Sequence, residues 1–139
     1  MHTFKLKTGS GTDFIDITAN VTEILQKTGQ KDGICCVYVP HTTAAVTLNE
    51  NADPSVCRDM IKGLSKLIPL QDAYEHFEGN SAAHIKCSLI GESVTIPIEN
   101  NRLALGTWQS IYFCEFDGPR NRKVNVVCLA PPSAGDHLR

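Results

Sequence analysis

Three histidines lie in the middle of the sequence, His41 in HTTAAVTLNENADPSV and His76 and His84 in YEHFEGNSAAHIK. Three imidazoles with an open fourth position are a common donor set for catalytic zinc, and neutral imidazole is the usual ligand near neutral pH. His76 and His84 are eight residues apart with Gly79 between them, so the chain can fold back and aim both rings at one point, while His41 must arrive from a different element. Carboxylates surround them: Glu50 and Asp53, then Glu75 and Glu78. Each is a candidate general base or a partner that orients a histidine. Asp53, directly before Pro54, is equally suited to cap a helix, and Glu75 to sit in solvent. Arg120, Arg122 and Lys123 crowd the turn DGPRNRK, where they either grip a phosphate or solvate a hairpin tip. In GTWQ, Trp108 suits core packing at a strand bend, and Gln109, on the opposite face, suits bonding to a ligand. Spacing alone leaves these alternatives open, because a histidine taken singly is more often a surface residue or a satisfied interior one.

The elements that must hold these side chains follow from periodicity and turn chemistry. TFKLKT and FIDIT read as strands about a turn at 9–11, and an amphipathic helix spans 18–28 and stops at Gly29. DGICCVYVP, apolar on both faces, reads as a strand through the middle of a sheet, with HTTAAVTL continuing extended. Asp53-Pro54 opens the clearest helix, as N-cap and first helical residue, and Val56, Cys57, Met60, Ile61, Leu64, Leu67 and Ile68 form a core-facing stripe that Pro69 ends. The polar cluster at 49–53 therefore marks a strand-to-helix corner, a place where function is often carried. Residues 70–80 are irregular. SAAHIKCSLIG fits a helix with Ser81 as cap and Gly91 as stop, although Ile85, Cys87 and Leu89 also alternate as a strand. From Glu92 the pattern is all β: ESVTIPI, an Asn100-Asn101 turn, RLALGTWQSIYFCEF broken near Gly106, an Asp117-Gly118-Pro119 turn and KVNVVCLA, with a frayed tail at 131–139. Antiparallel hairpins with a few helices predict one α+β domain over 1–139, mainly antiparallel sheet or sandwich.

At 139 residues the chain is long enough to bury a single core. A net charge of −2 with scattered Lys and Arg gives no electrostatic footprint for nucleic acid. With no signal-peptide core and no run of eighteen apolar residues, the sequence predicts a soluble, cytoplasmic protein without membrane contact. The six cysteines lack any C-x-x-C pair and sit mostly in apolar runs, which predicts reduced core thiols.

HTTAAVTLNENADPSV, YEHFEGNSAAHIK and LALGTWQSIYFCEFDGPR, in that order and over nearly the whole chain, resemble the YjbQ-like family, whose members carry the label secondary thiamine-phosphate synthase enzyme. The resemblance implies a homotrimer with polar motif residues near the subunit interfaces, and a metal site with His41, His76 and His84 as ligands. Asn49 and Glu50 match the family's LNEN segment, Glu78 and Gly79 its EG pair, and Trp108 and Gln109 its GTWQ. The family usually has glycine in the turn before GTWQ, where this chain has Asn100-Asn101, residues that tolerate the left-handed region. The implied reaction joins hydroxymethylpyrimidine diphosphate to thiazole phosphate and releases pyrophosphate. It needs donors for the departing diphosphate and a pocket that excludes water. On that reading Glu50, Glu78 and Gln109 are the catalytic candidates. Asn49, Lys86, Trp108 and Arg120, with Arg122, hold a small phosphorylated molecule, and Mg²⁺ accompanies its diphosphate. A three-His site is better suited to Zn²⁺ activating water, with Glu50 or Glu78 as base. A zinc-dependent hydrolase is thus one alternative, and a non-enzymatic trimer that binds a metal or small anion is another.

Overall fold

The computed structural model describes residues 1–133; the part of the expected tail at 134–139 lies outside the described residues. The elements are β1 (His2–Lys7), β2 (Asp13–Asp16), α1 (Thr18–Thr28), β3 (Gly33–Tyr38), β4 (Ala44–Glu50), α2 (Pro54–Leu67), α3 (Ser81–Ile90), β5 (Ser93–Glu99), β6 (Arg102–Leu103), β7 (Gln109–Glu115) and β8 (Asn121–Leu129). Two antiparallel sheets result, one ordered β1-β8-β3-β5-β6 and the other β2-β7-β4. This is the α+β sandwich the hairpin pattern predicts. No helix among the described residues is long and apolar enough to cross a membrane, and all six thiols are unbridged.

Strand alternation decides which side chains meet. Cys35 and Val37 of β3, Ile96 and Ile98 of β5, and Val124 and Val126 of β8 pack against Val46 of β4 and Ile111 and Phe113 of β7, with Val21 and Leu25 of α1 joining the same core. The other face of the three-stranded sheet presents Ala45, Tyr112 and Cys114, which pack with Ala83 of α3 and with Cys57 and Leu64 of α2. Strand β7 is thus buried on both faces as the middle layer, which is why IYFC reads as unbroken apolar sequence.

Four expectations are corrected. Strand β3 is central, between β5 and β8, but its outer face is open: Ile34 and Tyr38 are each 43% exposed. HTTAAVTL is extended as expected, but only from Ala44. His41 N donates to Val39 O at 2.9 Å, and the chain bends through 41–43 and enters the other sheet as β4. Helix α2 begins as expected, with Asp53 Oδ1 accepting from Ser55 N at 2.9 Å, yet its apolar stripe is only half-buried before Ile68 and Leu67 is exposed. Three strands at about 4.8 Å spacing are roughly one helix diameter wide, so two helices cannot both lie flat on that face. Helix α3 takes Asn80, not Ser81, as its cap position, and the Asn80 side chain makes no cap bond because its Nδ2 donates to Asp117 Oδ2 at 2.9 Å. The Asn100-Asn101 turn forms as expected, with φ of 51° and 59°.

Candidate functional site

Strands β4 and β7 pair so that Ala44 lies opposite Glu115 and Glu50 opposite Gln109. Six residues of strand rise about 20 Å, so this register divides the motif residues between two ends of the middle layer. One end gathers Asn49, Glu50, Trp108 and Gln109. There Asn49 Oδ1 accepts from Glu50 N at 2.7 Å, Gln109 Oε1 accepts from Gly106 N at 2.8 Å, and Asn51 N donates to Trp108 O at 3.2 Å. Trp108 is 64% exposed rather than packed in the core, because β7 begins at Gln109 and leaves the tryptophan in the preceding turn, outside the inward alternation.

The other end holds the histidines. The bend at 41–43, the 76–80 segment, the start of α3 and the Asp117–Arg120 turn enclose an open pocket of about 480 Å³, lined by His41, His76, Glu78, Asn80, His84 and Arg120 among others. Gly79, at φ 80°, turns the chain back as its position predicts. The His76 and His84 rings meet nearly perpendicular, centroids 5.4 Å apart, and His76 Nε2 lies 3.8 Å from Glu78 Oε2.

His41 has a different environment. Strand β3 ends at Tyr38, opposite Asn125, so the Lys123 N–H has no β3 residue facing it. His41 Nε2 accepts that N–H at 2.9 Å. Burial, and then the nearby Arg122 guanidinium, push the His41 pKa below the ordinary value of 6.5, which keeps the ring neutral at pH 7. A neutral ring whose Nε2 accepts a hydrogen bond carries its proton on Nδ1. Zinc requires a free imidazole lone pair, so the three rings as placed do not share a zinc site. No group of three or more His, Cys, Asp or Glu among the described residues is arranged to hold a metal ion.

The basic residues also separate. Arg120, half-exposed, is clamped by its own turn, with Nε donating to Asp117 O at 2.8 Å and Nη2 to Asp117 Oδ2 at 2.9 Å. Arg122 is buried. Its Nε donates to Glu115 Oε1 at 2.8 Å, and its Nη2 to Glu115 Oε2 and, at 2.9 Å, to Thr43 Oγ1. Burial alone would raise the Glu115 pKa, but the bonds from Arg122, Thr8 and Asp117 N outweigh it and hold the carboxyl below its usual value. Sequence reasoning missed this pair. The signal was present, since Glu115 continues the inward series Ile111, Phe113 and Arg122 begins the inward series Val124, Val126. Lys86 does not line the pocket: it lies on the buried face of α3 with its ammonium 5.9 Å above the Phe116 ring, and burial lowers its pKa.

The family model described as UPF0047 protein YjbQ-like matches residues 2–130. The chain belongs to this family. UPF0047 protein YugU of Bacillus subtilis is 50% identical over 130 residues, 93% of this chain and 98% of its own length. The crystal structure of an uncharacterized conserved protein of the YjbQ/UPF0047 family from Clostridium acetobutylicum is similar with a TM-score of 0.91 at 53% identity, covering 93% of this chain and 100% of that one. A YbjQ-like protein of unknown function from Sulfolobus solfataricus is similar with a TM-score of 0.90 at 30% identity, covering 94% and 96%. The two solved relatives share this fold.

Proposed function

We propose that this YjbQ-like protein binds a small phosphorylated molecule in the histidine pocket and acts on it by proton transfer through His76 and Glu78. The observation that carries this reading is the meeting of His76, His84 and Glu78 with His41 and Arg120 in one open pocket. An imidazole beside a carboxylate is a proton-transfer pair, and the N–H groups of His41 and Arg120 are suited to oxyanions.

The finer reading is the thiamine-phosphate reaction implied by the family resemblance. The thiazole nitrogen attacks the pyrimidine methylene, the C–O bond to the diphosphate breaks, and pyrophosphate leaves. The chain's part is to hold the leaving oxygens by N–H donors and to deliver a proton from His76 as charge builds on them. Mg²⁺ brought in with the diphosphate would meet Glu78 and Asp117, the carboxylates of the pocket. The zinc-hydrolase alternative draws no support from the donor set, because the His41 lone pair is taken by Lys123. The open outer face of the five-stranded sheet, where Ile34, Tyr38 and Leu129 are exposed, supports assembly as a homotrimer.

Turnover of the two thiamine precursors tests the reading, with wild type beside His76→Ala, Glu78→Gln and Glu50→Gln. His76→Ala and Glu78→Gln are expected to lose about 10²–10⁴-fold in rate, the usual scale of general acid–base catalysis, while Glu50→Gln, at the far end, keeps its rate. The reverse pattern would move the site to the Trp108 end. Saturable phosphate binding with no turnover would leave a binding module.

A further inference from the structure

The outer face of the five-stranded sheet is basic at one end. In the β1–β8 register Lys5 stands directly opposite Lys123, and Lys7 opposite Asn121. Directly opposed side chains start about 5 Å apart, and Lys7 follows Lys5 on the same face about 7 Å along β1. All three lysines are exposed, and with Leu6, Asn121 and Arg122 they line an open groove of about 470 Å³. The Arg122 charge is matched by Glu115, but none of the three ammonium groups forms an ion pair among the described residues. Further along this face β3 contributes Ile34, Cys36 and Tyr38, and β5 contributes Ser93, Thr95 and Pro97. The carboxylate that β5 adds, Glu99, is at the opposite corner of the sheet. Like charges directly opposite one another destabilise a sheet. Lysines on an edge strand such as β1 discourage pairing with another chain, but Lys123 is on β8, an interior strand, where that explanation does not apply.

We propose that this groove binds a chain of condensed phosphates, of the kind found in inorganic triphosphate or in the tail of a nucleoside triphosphate. The site is separate from the histidine pocket, which Lys5, Lys7 and Lys123 do not line; Arg122 lines both and keeps its charge on Glu115. A condensed phosphate carries several negative charges on neighbouring phosphoryl groups, so separate ammonium groups can each meet a different one. Lysines suit that target, because each meets phosphate as a compact charge on a flexible stem, without the fixed geometry of a guanidinium. A single orthophosphate engages fewer of the three at once. An extended acidic peptide or a nucleic acid is a poorer match, since the basic cluster ends within these two strands: Asn125 and Val127 follow Lys123 along the face, and Thr3 precedes Lys5. The apolar end of the face, Ile34 opposite Leu129, is about 20 Å further along β8.

The test uses the full chain with inorganic triphosphate, ATP and orthophosphate, titrated at pH 7 without divalent metal by isothermal calorimetry, while ¹⁵N amide shifts locate the site. The expected result is saturable triphosphate binding with orthophosphate about tenfold weaker, and shifts concentrated on the amides of 5–7 and 121–123 rather than 76–84. Raising the ionic strength from about 0.01 M to about 0.15 M shortens the Debye length from about 30 Å to about 8 Å and should weaken binding. Lys5→Gln, Lys7→Gln and Lys123→Gln should each weaken triphosphate about two- to fivefold, and the triple variant should abolish binding. Lys5→Gln also removes the like-charge opposition, so it should melt no lower than wild type, and its lost affinity then reports the groove rather than the fold. ATP binding no tighter than triphosphate assigns the groove to the phosphate chain alone, and tighter ATP binding assigns it to a nucleotide; both support the inference. Triphosphate that does not saturate, that binds no tighter than orthophosphate, that shifts 76–84 instead, or that binds the triple variant unchanged overturns it.

Discussion

Glu115→Gln keeps the shape of a fully buried side chain and removes its charge. The carboxylate accepts from Thr8 Oγ1 at 2.7 Å, Arg122 Nε at 2.8 Å, Asp117 N at 3.1 Å and Arg122 Nη2. An amide accepts on one atom only, so its NH₂ must face at least one of these donors, and the Arg122 guanidinium, 5% exposed, loses its counter-charge. Cutting one partner from a buried pair costs about 3–5 kcal/mol. With a urea slope near 2 kcal/mol/M, the midpoint should fall by roughly 1.5–2.5 M with the slope unchanged. Replacing both partners, Glu115→Leu with Arg122→Met, should recover most of that loss, because a pair removed whole leaves no buried charge behind. The carboxyl is held below its ordinary value of 4.5, so in acid the unfolded chain binds more protons. Its contribution is present above pH 4.5 and is lost as pH falls through the folded value, and Glu115→Gln should abolish that part of the acid slope. A single variant within about 0.5 kcal/mol of wild type, or a double variant no more stable than the single, would refute the reasoning.

His41 gives a second pH dependence with a different window. Its pKa is lowered in the folded chain, so below pH 6.5 the unfolded state binds more protons and stability declines as pH falls toward the folded value; His41→Gln should flatten that decline in urea melts between pH 5 and 8. Trp108→Ala removes an exposed ring, so stability should stay within about 0.5 kcal/mol of wild type and phosphate titrations should not change. Lys86→Met keeps the buried stem and drops an ammonium that burial disfavours, so the variant should be at least as stable as wild type by thermal melt, with phosphate binding intact. Lost phosphate binding in Lys86→Met would return that lysine to the site.

Local signals were legible wherever a residue type leaves few backbone choices. Asp53-Pro54 opened a helix, Asn100-Asn101 closed a hairpin, and Gly79 turned His76 back toward His84. What stayed hidden was non-local. Periodicity says which side chains share a face, not which strands are neighbours, and the β4–β7 register joins segments some sixty residues apart. That register placed Glu50 beside Gln109 and away from the histidines. The role of His41 was hidden for the same reason, since it depends on β3 stopping short beside β8. Glu115 and Arg122 could have been found, because a charge at an inward position of an apolar strand needs a buried partner.

The polar cluster at 49–53 looks catalytic by residue type, and the structure gives it another occupation. Ile111 N donates to Thr18 Oγ1 at 2.8 Å, and Thr18 Oγ1 donates to Asp16 Oδ1 at 2.6 Å. Asp16 Oδ2 accepts from Asn51 Nδ2 at 2.8 Å, and Asn51 Oδ1 accepts from the Tyr112 hydroxyl at 2.8 Å. This chain ties the β2–α1 corner to β7 and to the end of β4, with both polar atoms of the Asn51 amide in use. Its side chains are satisfied by one another, so a ligand there would have to break bonds before making any. At the opposite end His41 Nε2 accepts from Lys123 N, while His76, His84 and Glu78 line the open pocket. The two ends carry similar residue types, and the hydrogen-bonded chain through Asn51 is what marks the 49–53 end as scaffold.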